Sequence, residues 1–222
     1  MKRSYLLISM VVTALAVGWA IAGSAPAPAT TPITWELDFE PLDVLRPIRI
    51  VLPGQTKATT FWYLRYRIFN DTGEDRQFIP SFDLCTNTGQ LFNAKTAVPR
   101  VVFDKIKAHH NQPLLKNLAA MTGKILQGED NAKDGVAIWP DFDAGAGRAV
   151  VFIGQLSGEQ RVLKLPQPVE VTMVGDDGKE RTITVREVVL HKTRQLTYEI
   201  PSEPAARFTT PTRLVDKRWI MR

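Results

Sequence analysis

The 222-residue chain has a single cysteine, Cys85, and only three histidines, His109, His110 and His191. One thiol excludes an internal disulfide, and with it the stapled scaffold of small secreted domains. Histidines at no paired spacing with cysteine leave little material for a zinc site. Also missing are a phosphate loop, a dinucleotide fingerprint, a Gly-x-Ser-x-Gly elbow around Ser157 and any period of repeat-protein length. Beyond residue 22 no apolar run reaches membrane length, which excludes a multi-pass protein. What the chain does have is punctuation: 15 prolines and 14 glycines divide a 44% hydrophobic, 23% charged sequence into short pieces. Such punctuation suits an all-β domain better than a helix bundle.

Met1-Lys2-Arg3-Ser4 gives a positive start to a charge-free run over residues 5–21, followed by small residues. This pattern is that of a secretory signal peptide over residues 1–22, with cleavage after Ala20-Ile21-Ala22. The expected location is therefore periplasmic or extracellular, with an uncleaved signal that anchors the chain in the inner membrane as the alternative. No cysteine lies near this region, which excludes a lipoprotein. Residues 23–33, rich in Pro and Ala, read as an extended linker, residues 34–201 as the folded domain and residues 202–222 as a basic tail. Lys and Arg number 28 against 23 Asp and Glu; without Lys2 and Arg3 the excess falls to three, all of it in residues 202–222. A neutral body does not build the positive field that phosphate binding requires, so nucleic acid is not an expected partner.

Strand patterning dominates the domain. Over residues 60–68, Trp62, Leu64, Tyr66 and Ile68 alternate with Phe61, Tyr63, Arg65 and Arg67, which predicts one core face and one face in water. Residues 70–75 and 87–89 supply Asn, Asp and Gly for turns. Residues 104–111 and 113–121 carry helical spacing and predict a short insert covering one end of the sheets. Strand patterning then returns over residues 124–127, 135–139, 149–155, 169–174, 181–190 and 194–200, with a hairpin turn at 175–179. Eight to ten short strands without long intervening helices predict a mainly β fold, an immunoglobulin-like antiparallel β-sandwich with a helical insert near 104–121.

The order of three segments resembles bacterial extracellular immunoglobulin-like domains of unknown function. These are residues 63–72, then Phe82-Asp83-Leu84 with Asn87-Thr88-Gly89, then Leu126-Gln127-Gly128-Glu129 with the strand from Gly135 to Pro140. Trp139 stands where that pattern has Phe, and the helical insert is longer than the pattern has. The resemblance covers residues 63–156 and implies a secreted, non-catalytic sandwich used for adhesion, scaffolding or sensing. It carries over no catalytic residue.

Candidate chemistry is sparse. Adjacent helical side chains point about 100° apart, so His109 and His110 do not share a metal. Glu129, Asp130 and Asp134, and separately Asp141 and Asp143, are acidic clusters without the ligand spacing of a calcium loop. With Phe82 and Leu84 facing the core, Cys85 faces the opposite side. The tail mixes Arg213, Lys217, Arg218, Trp219 and Arg222 with Leu214, Val215 and Ile220, a composition for docking to a partner or an anionic membrane surface. The expectation is a non-enzymatic binding or scaffolding module of the cell envelope, its partner a protein or envelope component, with no catalytic residue, no metal and no cofactor. The alternative is a metal-binding or enzyme-accessory domain built on the acidic loops.

Overall fold

The computed structural model describes residues 27–28, 34–94, 98–174 and 178–222, the side chain of Val174 aside, and among these described residues it has twelve strands and two short α-helices. The expected signal peptide, most of the linker and the Gly175-Asp176-Asp177 part of the hairpin turn lie outside the described residues. The fold is mainly β, and every pairing between named strands is antiparallel.

The first sheet is organised by β3 (Ala58–Phe69), which pairs on one edge with β1 (Asp38–Pro41) and β2 (Arg46–Val51), and on the other with β8 (Lys133–Pro140). The second sheet contains β5 (Ser81–Thr86), β6 (Leu91–Asn93), β9 (Arg148–Gly154), β10 (Gln160–Val174), β11 (Glu180–Glu199) and β12 (Arg213–Met221). A small pair, β4 (Arg76–Phe78) and β7 (Gly123–Ile125), closes one end. Alternation puts Trp62, Leu64, Tyr66 and Ile68 of β3 on one face. There they share a single core with Phe82 and Leu84 of β5, Val151 and Ile153 of β9, and Leu196 and Tyr198 of β11.

The other face of β3 differs from the expectation that it meets water. Phe61 and Tyr63 are buried in a second cluster beneath helix α1 (Arg100–His109), which supplies Val102 and Ile106. The helical insert therefore covers a sheet face, and the first sheet is packed on both sides. Helix α1 begins at Arg100, directly after Pro99, four residues ahead of the expected start at 104, and the second expected helix shrinks to α2 (Leu118–Met121). Asn117 caps α2 by accepting from the Ala120 amide at 2.9 Å. Arg65 and Arg67 keep polar roles on this face, Arg67 donating to Asp134 at 2.7 Å and Arg65 to Gln112 at 2.8 Å.

Close packing extends to single atoms. Gly135 sits opposite Tyr66, and a Cβ there would come within 2.5 Å of the ring. Burial raises the Tyr66 phenol far above its ordinary pKa, so it stays neutral. Arg207, also buried, donates to the carbonyls of Pro201, Asp143, Ala144 and Ala146 and ties the loop after β8 to the segment before β12.

Candidate functional site: a projecting two-stranded arm

β10 and β11 are far longer than the other strands, and only the second half of β11 belongs to the core. From Leu196 to Ile200 the chain is buried apart from half-buried Glu199, whereas between Gln160 and Leu190 no described side chain is buried. Over that span β10 and β11 pair only with each other. β12 reaches as far as Arg222, whose backbone exchanges two hydrogen bonds with His191. From there outward the two strands form a ribbon about 35 Å long.

The sequence favours this ribbon through β-branched residues at alternating positions. Residues directly opposite each other in an antiparallel pair share a face. One face of the outer arm therefore carries Val169 opposite Val185, Val171 opposite Ile183 and Met173 opposite Arg181. The other carries Glu170 opposite Thr184 and Thr172 opposite Thr182, whose hydroxyls are 3.1 Å apart. Lys164 and Glu187 cross the apolar face nearer the body, and Val162 and Val189 continue it beyond them. Exposures of 49% for Val169, 38% for Val171, 54% for Met173 and 47% for Ile183 leave these side chains in water. Between Lys164 and Val169 the register shifts, and Pro166 and Pro168 fall in that irregularity, where a missing backbone N–H costs least.

The root of the arm is held by charge. Lys192, at the end of the arm in β11, is 2% exposed, and its Nζ lies 2.9 Å from a Glu36 carboxylate oxygen and 3.2 Å from one of Glu159. Glu159 directly precedes β10, its side chain wholly buried, and the Lys192 amide donates to its carbonyl at 3.0 Å. Arg161 reaches the same carboxylate at 3.7 Å. Trp219 covers this cluster, with Lys192 Nζ 5.1 Å and the Arg194 guanidinium 4.9 Å from its ring centroid. A buried cation between two carboxylates ties the root of the ribbon to the segment before β1.

The five tail residues singled out from the sequence lie along β12 and are not gathered into one cluster. Lys217 and Trp219 share a face opposite Leu196 and Arg194, and Arg218 lies on the other. Arg213 pairs with Glu199, Arg218 with Asp216 at 3.2 Å and Arg222 with Asp83 at 2.9 Å. Burial, then the nearby Arg194, lowers the Lys217 pKa. The acidic loops are likewise engaged locally. Asp141 accepts from Trp62 Nε1 at 2.9 Å, Asp143 from the Gly145 amide at 2.8 Å and Asp134 from Arg67 and Gln112. Among the described residues no three His, Cys, Asp or Glu side chains converge. Cys85 is half-buried on the face of β5 away from Phe82 and Leu84. His110, just past α1, bonds through Nε2 to the Tyr63 hydroxyl at 2.9 Å, and burial, then Arg65, lowers its pKa to about 4. An apolar cavity of about 470 Å³ opens between α1, α2 and β8, lined by Val98, Phe103, Leu118, Val136 and Ile138.

Sequence reasoning found the hairpin over 169–190 and missed its projection. One signal was available: residues 153–197 contain no Phe, Tyr or Trp, in a chain that has 19 of them. β1, β3, β4, β5 and β8 each place an aromatic in the main core, and the arm carries none. Among the described residues no helix is long and apolar enough to cross a bilayer. Comparison with known proteins finds no family model, no characterised relative and no solved structure that matches this chain.

Proposed function

We propose that this chain is an exported, non-enzymatic binding module of the cell envelope, with an immunoglobulin-like sandwich as its body and the β10–β11 arm as its recognition element. The observation that carries the reading is the arm itself. A two-stranded ribbon is marginally stable alone in water, and this one leaves a contiguous apolar face exposed. Two antiparallel sheets on one core support the sandwich body. The basic, apolar and small-residue order of residues 1–22 supports export, and the Pro/Ala stretch that follows supports a tether between membrane or cleavage site and body. Chemistry at the acidic loops has less behind it, because Asp134, Asp141 and Asp143 are spent on local hydrogen bonds.

A photo-crosslinking amino acid at Val171 in the producing cell tests the reading. The expected result is a discrete adduct heavier than the chain, absent when the same probe replaces Lys57, an exposed residue of the body. Absence of any adduct at Val171, with the protein folded and exported, overturns the proposal.

A further inference from the structure

We infer that the occupant of the arm's apolar face is the arm of a second copy of this chain, packed face to face and running in the opposite direction. This rests on the reading of the arm as a binding element and names what covers it.

Three features point to a second copy. The first is area: the exposures of Val169, Val171, Met173 and Ile183 amount to roughly 340 Å², within the range at which apolar surface marks an interaction site. Two such faces in contact, with the exposed Lys164, Arg181 and Glu187 side chains that border them, remove about 1,000 Å², the lower bound for a specific interface. The second is the one-sidedness of the outer arm: Glu170, Thr172, Thr182 and Thr184 make its opposite face polar, so a two-fold contact covers the outer apolar patch and closes, while the exposed Leu163–Val188 pair of that opposite face lies nearer the body, outside the contact. The third is charge. Arg181 and Glu187 lie equally far from Thr184 along β11, on the apolar side, so a two-fold axis at the level of Thr184 sets each copy's Arg181 against the other's Glu187.

An anionic bilayer fits less well. Residues 169–187 contain five acidic and three basic side chains, the wrong sign for anionic headgroups. Addition of a strand to the β10 edge is opposed by Pro166 and Pro168, which offer no N–H to a ladder.

Sedimentation equilibrium of the full chain from about 1 to about 100 µM, a range suited to weak and transient contacts, tests the inference. A monomer–dimer equilibrium is expected. Ile183→Lys, at an exposed position that no core contact depends on, raises the dissociation constant at least about tenfold, whereas Thr182→Lys on the polar face leaves it unchanged. Arg181→Glu and Glu187→Arg each weaken the dimer, and the double exchange restores it. A monomer throughout, a dimer indifferent to Ile183→Lys, or a double exchange that fails to restore pairing overturns the inference. A monomeric chain whose Val171 crosslinks a different protein in the cell also overturns self-pairing while the binding reading stands; absence of any adduct overturns both.

Discussion

The body and the arm use the same strand grammar to opposite ends. In β3, alternation puts Trp62, Leu64, Tyr66 and Ile68 into a core shared with a second sheet, and even the alternate positions Phe61 and Tyr63 are covered by α1. In β10 and β11, alternation produces Val169, Val171, Met173 and Ile183 on one face, exposed among the described residues. Burial is thus a property of what a strand meets, and alternation alone specifies only that it can meet something.

The largest way to sharpen that contrast is to truncate one apolar side chain to alanine in each region. Leu64→Ala, fully buried, is expected to lower unfolding free energy by about 3–5 kcal/mol, whereas Val171→Ala is expected to change it by less than about 0.5 kcal/mol, both read by urea denaturation at concentrations where the chain is monomeric. Equal effects would mean that the arm is packed against the body.

The boundary between the regions comes next. Lys192→Met removes the buried cation between Glu36 and Glu159, leaving Arg161 at 3.7 Å from the Glu159 carboxylate, and is expected to cost about 3 kcal/mol. Hydrogen exchange of the Arg161–Lys164 amides should quicken along with it. If stability falls while exchange at the root is unchanged, the charge cluster serves the body and not the arm.

How far each region could be read from the sequence follows from the same physics. The β3 alternation, the turn at 70–75 and the hairpin over 169–190 are local patterns, and each is present as an element. The helical insert was legible as a helix but not as the cover of Phe61 and Tyr63, because Val102 and Ile106 reach them only through tertiary packing. The arm's first half was hidden by Pro166 and Pro168, which look like a break and fall at a register shift inside one long strand. The root cluster joins Glu36, Glu159 and Lys192 across 156 positions of sequence, a distance at which no spacing rule operates. Residues 202–222 read as a tail because basic composition hid a strand, β12, whose pairing partner lies in β11.

A smaller effect distinguishes the regions by pH. In the folded body His110 is held neutral, its pKa about 4 against an ordinary 6.5, so its contribution to stability is complete above about pH 6.5 and is lost as pH falls toward 4. Urea midpoints of the native chain should drop across that window, and His110→Phe should flatten the drop. An NMR titration in which the His110 ring protonates near pH 6.5 would remove this part of the account.

The measurement that tests the central claim most directly is hydrogen exchange of the Arg181–Val189 amides as a function of protein concentration, with Leu196–Tyr198 as the internal reference. Between about 1 and about 100 µM, arm protection is expected to rise roughly in step with dimer population while the reference stays constant. Arm amides that exchange at one rate over the whole range, whether fast or slow, would contradict it.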